Sequence, residues 1–265
     1  MGQTIVLTGM VLSAVPVGEY DRRITILTKE RGKISAFARG ARRPGNPLMA
    51  AGSPFSFGKF EAYEGRSSYT VVKAEIENYF RELTEDLEGT CYGFYFLEIA
   101  DYYARENADE VHMLKLLYQS LRALEKKSLD NRLIRRIFEL KTMVINGEYP
   151  NVFSCLKCGR EEELYWFHTG SGGTLCEECR KQTVSLSLHP STLYAMQYII
   201  TSSIEKLYTF AVSEDVLKNL AEIMNEYMAF YMERKFHSLQ ILEENEGFAA
   251  QNFLSVSEAE NQQLQ

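Results

Sequence analysis

No run of 18 apolar residues occurs in this chain, so no transmembrane helix is expected. Neither Gly-x4-Gly-Lys-Ser/Thr nor Gly-x-Gly-x-x-Gly is present, which argues against a phosphate-cradling loop or a dinucleotide fold. Histidine is scarce. His112, His168, His189 and His237 are the four, and none stands in the His-x-Glu pattern that a nucleobase deaminase sets beside its cysteines. No paired-carboxylate or Ser/His/Asp signature rises above chance. The apolar start, Met1 to Pro16, lacks the basic region of a secretory signal. Met1-Gly2 is followed by Val6 where N-myristoylation needs Ser or Thr. The sequence therefore reads as a cytoplasmic, non-enzymatic chain with no membrane partner. Its 45% hydrophobic content is enough for a real core.

What is present is a quartet of cysteines. Cys155/Cys158 and Cys176/Cys179 form two Cys-x2-Cys pairs separated by 17 residues, the spacing of a four-thiolate zinc site. Each pair fits one tight turn, and two turns close a tetrahedron. Four thiolates leave no open coordination position for water, so one structural Zn2+ is expected rather than a hydrolytic one. Four reduced thiols also point to a reducing compartment. The fifth cysteine, Cys91, lies on an apolar helical stripe and reads as a small buried hydrophobe.

Charge is distributed unevenly. The formal net charge is -7, yet residues 1–80 carry 11 Lys+Arg against 7 Asp+Glu, a net of +4, and the rest carry 18 against 29, a net of -11. Between residues 22 and 43 lie Arg22, Arg23, Lys29, Arg31, Lys33, Arg39, Arg42 and Arg43, with Glu30 as the one anion. Such a patch on an otherwise acidic chain suits a phosphate backbone.

The first 80 residues read as β. Residues 4–8 and 10–12 are short β-branched runs, 24–28 and 34–37 alternate around a Gly32 turn, and 55–63 and 69–74 follow. About five short strands fit a small closed barrel such as an OB fold. Residues 39–54, with Pro44, Pro47 and Pro54, read as a loop. Helical periodicity begins near Thr84. Its stripes are Leu87, Cys91, Phe94, Leu97 and Ala100-Asp101, then Val111 to Leu124, Leu133 to Val144 with Asp130 or Asn131 as cap, Pro190 to Thr201, and a last helix capped by Ser213. The expected plan is α+β and multidomain: an OB-fold DNA-binding domain over 1–80, a helical domain over 81–149 and 183–246, a zinc-ribbon insert over 150–182, and a disordered tail over 247–265. Phe55, Phe57, Phe60, Tyr63 and Tyr69 are expected mostly in the barrel core, with one or two free to stack on bases.

Several of these segments resemble the bacterial recombination mediators of the RecO family. They are Gly18-Glu19-Tyr20-Asp21-Arg22-Arg23, the strand and turn from Ile24 to Lys33, Ala38-Arg39-Gly40-Ala41-Arg42-Arg43-Pro44, Pro54-Phe55 and the cysteine pairs. Val17 departs from the aromatic that many members carry before Gly-Glu. The resemblance implies an OB fold, a helical domain and a zinc ribbon. It implies annealing of complementary DNA strands and, with RecR, loading of RecA onto gaps coated by single-stranded-DNA-binding protein (SSB). The expected partners are single- and double-stranded DNA, RecR and the SSB C-terminal tail, with RecA or RecF reached indirectly, in the cytoplasm at the nucleoid. Arg22, Arg23, Lys33, Arg39, Arg42 and Arg43 are the expected DNA contacts. A zinc-ribbon adaptor binding only proteins, in transcription or translation, is the alternative, and a zinc-dependent nuclease or deaminase the other rival.

Overall fold

The structure is a computed structural model, and it describes residues 4–66, 68–181, 183–232, 234 and 236–242. The tail expected to be disordered lies outside the described residues. The β-rich start folds as β1 (Thr4–Val17), β2 (Asp21–Thr28), β3 (Gly32–Ala38), β4 (Phe57–Glu64) and β5 (Tyr69–Asn78), closed in the order β1-β2-β3-β5-β4. Every pairing is antiparallel except β3 with β5, which closes the barrel in parallel, giving the OB-fold topology. The two short strands expected over 4–8 and 10–12 are one. A register shift between Val11 and Ser13 bends β1 so that it pairs with β4 along its first half and β2 along its second. The loop over 39–54 contains one helical turn, α1 (Leu48–Ala51). Alternate residues of the strands, among them Leu7, Val11, Ile24, Ile26, Ile34, Phe60 and Val71, fill the barrel.

The helical half begins with α2 (Arg81–Thr84), α3 (Leu87–Tyr103), α4 (Val111–Lys126) and α5 (Asn131–Ile145). The Asp130 carboxylate caps α5, accepting from the Arg132 N–H at 2.8 Å. Next come the short strands β6 (Trp166–His168) and β7 (Gly173–Leu175), the turn α6 (Glu177–Arg180), and β8 (Leu186–Ser187), which joins them as a third strand. α7 (Pro190–Thr201) and α8 (Glu214–Tyr231) complete the helical pack. Ser213 precedes α8 as expected, but its side chain makes no capping bond. The stripe expected on α3 holds at Leu97 and Ala100, which are buried, and at Cys91, which packs against the core, but Leu87 is 77% and Phe94 41% exposed, while Tyr92, Tyr95, Phe96 and Ile99 are buried as well. α3 is apolar on most of its circumference, so spacing alone does not select the inward face. Cys91 is half-buried on this helix, and burial raises its thiol pKa.

The barrel does not stand apart from the helices. Met10, Leu12, Leu27 and Phe55 belong to the same buried cluster as the α3, α4, α5 and α8 side chains. At about 1.5–3 kcal/mol per buried side chain, this contact fixes the orientation of the barrel. The β2–β3 turn adds backbone bonds: Lys33 N–H donates to the Arg105 carbonyl at 3.0 Å and Asn107 N–H to the Arg31 carbonyl at 2.9 Å. Gly32 sits there at φ +64, and a Cβ on it would lie 2.3 Å from the Arg105 carbonyl oxygen.

Charge is also buried inside the helical pack. The Glu139 carboxylate accepts from Arg135 Nε at 2.8 Å, Arg136 at 2.9 Å and the Tyr95 hydroxyl at 2.7 Å. Burial opposes its ionised form, but the two guanidinium groups prevail and its pKa is lowered. A lowered pKa stabilises the fold above the ordinary carboxylate range, and that contribution is lost as pH falls through the folded value. Lys141 Nζ donates to the Ile199, Ile200 and Ser202 carbonyls, closing the C-terminal end of α7.

Gly32→Ala should cost about 1–3 kcal/mol in urea unfolding, since it combines a strained φ with a backbone clash; an unchanged midpoint would remove the docking role of this turn. Glu139→Gln should cost about 3–5 kcal/mol by leaving two buried cations without their counter-ion, and its stability should fall less than the wild type's as pH drops below the ordinary carboxylate range.

Candidate nucleic-acid interface and metal centre

β3 rises about 3.3 Å per residue, so its two ends lie roughly 20 Å apart. The basic run is therefore split between opposite ends of the barrel. Lys29, Arg31 and Lys33 fall at the end docked on the helices, and Arg39, Arg42 and Arg43 at the other.

Each expected contact residue is placed differently. Arg22 is turned inward along the barrel wall. Its Nη1 donates to the Met49 and Gly52 carbonyls at 3.1 and 3.2 Å and to Ser53 Oγ at 3.0 Å, so its donors hold the α1 turn in place. Lys33 Nζ bonds the Asp101 carbonyl at 2.5 Å and lies 3.3 Å from the Asp101 carboxylate, which makes it a bridge between barrel and helices. Arg23 is exposed on the opposite face of β2 from Arg22, with Nε on Ser35 Oγ at 2.8 Å. It lines a groove with Val15, Val17, Thr25, Asp101 and Glu106.

Arg39, Arg42 and Arg43 are exposed and come together. Their loop is built by the backbone: Arg43 N–H donates to the Gly40 carbonyl at 2.9 Å and Asn46 N–H to the Arg43 carbonyl at 3.2 Å. Gly40 turns the chain at φ +67, where a Cβ would meet the Asn46 amide at 2.7 Å. The β1–β2 turn is tied to this loop. Arg42 N–H donates to the Tyr20 carbonyl at 2.9 Å, Arg42 Nη1 to the Gly18 carbonyl at 3.3 Å and Gly40 N–H to the Asp21 carboxylate at 2.7 Å. The Arg43 guanidinium lies 4.4 Å from the centre of the Tyr20 ring. Among the described residues, none of the three arginines forms an ion pair. Their charge remains available to an anionic ligand.

The aromatics expected in the barrel core divide. Phe60 and Tyr69 are in it, Phe55 is in the core shared with the helices, Phe57 packs 4.6 Å from Tyr118, and Tyr63 is at the surface. Sequence reasoning missed Tyr20 as a neighbour of the arginines. Its signal was an aromatic in a polar turn, where no core position calls for one.

The cysteines do converge. The four Sγ atoms of Cys155, Cys158, Cys176 and Cys179 all lie within 4.8 Å of one another, and Cys158 and Cys176 are 3.7 Å apart. A tetrahedron with metal–sulfur bonds of about 2.3 Å has edges of about 3.8 Å, so the set fits a single ion. Each pair sits on a tight turn. Gly159 N–H donates to the Cys155 carbonyl at 2.9 Å, and Cys179 N–H to the Cys176 carbonyl at 3.1 Å. Burial opposes a Cys155 thiolate, but the N–H groups of Cys158, Cys176 and Lys157 bring its pKa down to about 6. The Cys179 thiol, hydrogen-bonded with the Cys176 and Cys158 sulfurs, is pushed up to about 12. A bound cation is what would let the Cys179 thiol ionise beside Cys155.

A closed OB barrel with an exposed arginine loop, joined to helices that carry a four-cysteine metal-type cluster, defines a multidomain protein of the nucleic-acid-binding kind. The comparisons with known proteins make this specific. The family model described as recombination protein O, N terminal, matches residues 1–80, and recombination protein O, C terminal, matches residues 84–240; the chain belongs to the RecO family. It is 32% identical to the DNA repair protein RecO of Alkaliphilus metalliredigens over 236 residues, 88% of this chain and 96% of that protein. It is 32% identical to the protein of the same name from Acetivibrio thermocellus over 237 residues, 89% of this chain and 94% of that protein. The protein so named from Bacillus subtilis is 26% identical over 232 residues, 86% of this chain and 91% of that protein.

For the metal centre, Cys155→Ser prepared with zinc present should hold clearly less than one ion per chain by atomic absorption. Wild-type metal content should also fall as pH drops, because the ligands must be deprotonated. Full retention by the variant would remove Cys155 from the ligand set.

Proposed function

We propose that this chain is a DNA-binding recombination mediator in DNA repair. It anneals complementary single strands and, with RecR, helps load RecA onto SSB-coated gaps. Family membership over most of the chain supports the role, and the relatives carry the name DNA repair protein. The observation that carries the mechanism is the exposed cluster of Arg39, Arg42 and Arg43 on one backbone-tied loop. Two strands repel each other through their phosphates. A cationic loop offsets part of that repulsion until base pairing holds the strands together, so no catalytic group is needed. Arg23 extends the basic surface along β2. Arg22 and Lys33 support it structurally, by holding α1 and the domain contact.

The cluster of four cysteines holds one structural Zn2+, with Cys155, Cys158, Cys176 and Cys179 as ligands, and the ion's part is to hold the ribbon together. The acidic, apolar-ended tail of SSB calls for an apolar groove with a basic rim. The groove lined by Met228, Met232, Phe236 and Leu239 is the candidate, with Arg234 as its exposed cation; Arg135 there is buried and paired with Glu139. The protein works in the cytoplasm at the nucleoid, with RecF reached only through its partners.

The test is annealing of two complementary oligonucleotides, with and without SSB, across a salt series. Replacing Arg39, Arg42 and Arg43 together by Glu should slow annealing and weaken single-strand binding. It should also flatten the plot of log affinity against log salt by about 2, at roughly 0.7 for each phosphate that is no longer neutralised. Unchanged binding and slope in the triple variant would overturn the assignment.

A further inference from the structure

The aromatic at the centre of the arginine loop belongs to no core: its hydroxyl donates to the adjacent Glu19 side chain, which raises its pKa, and its ring is exposed. Tyr20 is 40% exposed and belongs to none of the three buried clusters. Its position is nevertheless fixed more firmly than a turn residue requires. Its own carbonyl accepts from Arg42 N–H at 2.9 Å, and Gly18, two residues before it, accepts from the Arg42 guanidinium. The neighbouring Asp21 carboxylate accepts from Gly40 N–H at 2.7 Å. The Arg43 guanidinium then lies against the ring, 4.4 Å from its centre. A guanidinium plane and a phenol ring are both surfaces on which a nucleobase stacks, and stacking requires a base that is not paired within a helix. Immediately beyond the turn, Val17 and Val15 are exposed on β1, with Arg23 paired opposite Val15.

Resting on the proposal that the arginine loop binds DNA, we infer that Tyr20 and Arg43 form a stacking platform for one unpaired nucleobase. Arg39 and Arg42 hold the flanking phosphates. The ligand is thus a single strand with its bases, not a phosphate backbone alone. The loop reads strandedness: a duplex offers the same phosphates and no free base face. Stacking uses the face of the base, which all four bases have, so the platform tolerates any sequence.

The experiment measures binding of the full chain to fluorescent oligothymidylate, to an abasic strand of the same length and to a duplex, at one salt concentration. The wild type should bind oligothymidylate more tightly than the abasic strand. Tyr20→Ala should weaken oligothymidylate binding about 5- to 150-fold, the range for loss of one stacked base. It should leave the gap between oligothymidylate and the abasic strand largely closed, and Tyr20→Phe should restore it, since the ring and not the hydroxyl stacks. Equal affinity of the wild type for the two strands, or a Tyr20→Ala variant that still discriminates between them, would overturn the platform. If the wild type discriminates but the triple Arg→Glu variant binds oligothymidylate as tightly as the wild type does, the phosphate-contact reading fails and the platform with it. If that triple variant weakens while Tyr20→Ala does not, the phosphate contacts stand and only the platform falls.

Discussion

The packing of the β2–β3 turn on the end of α3 governs which cations of this protein can meet a ligand. Gly32 brings the turn within backbone contact of Arg105, and Met10, Leu12, Leu27 and Phe55 seal the contact with apolar side chains. Lys33 is drawn to Asp101 in the process. One end of the barrel is thereby committed to the helices, and the other is left pointing away from them. The described residues beyond residue 80 carry 17 Lys+Arg against 23 Asp+Glu, a net of -6. At physiological salt, charges are screened over about 8 Å. Over the roughly 20 Å length of β3, an acidic group at the docked end is largely screened from Arg39, Arg42 and Arg43. The net charge of the whole molecule says little about its binding end.

The cysteine module is less separate than an insert need be. Phe167 of β6 is buried in the main helical core, where it meets Tyr227 of α8 edge-on with ring centres 5.8 Å apart, and Val152 and Leu188 flank the module within the same cluster. The Tyr227 hydroxyl donates to the Glu148 carbonyl at 2.8 Å, just before the module begins. The four cysteines thus close a module whose far side is part of the helical pack, and a metal held there would stabilise the placement of α8 as well as the two cysteine turns. This suits a fold-holding role and sets the cluster apart from the arginine loop in both chemistry and position.

The barrel was legible because its strands alternate and its turns carry glycine where the chain must reverse. The cysteine quartet was legible because zinc chemistry constrains spacing more tightly than almost any other site. Two things were not. The inward face of α3 was hidden because a central helix is apolar on most sides, so periodicity has nothing to select. The separate tasks of the arginines were hidden because a run of cations looks uniform in one dimension. Arg22 and Arg23 are neighbours in sequence, yet strand alternation turns one toward the α1 carbonyls and the other to solvent. Tyr20 became visible only when the chain brought residues 20 and 43 together across two strands.

The barrel's ladders are unequal in length. β1 with β2, β1 with β4, β2 with β3 and β4 with β5 each run for seven or eight residue pairs, whereas β3 with β5 closes the cylinder through three: Ala36–Tyr69, Phe37–Thr70 and Ala38–Val71. Arg39 follows directly on the last of these. The seam where the cylinder is mechanically weakest is therefore the root of the arginine loop. The bonds from Arg42 and Gly40 to the β1–β2 turn, and from Arg22 to the α1 carbonyls, therefore hold the loop where the ladder is short. The same ties that shape the binding loop also brace the closure of the cylinder.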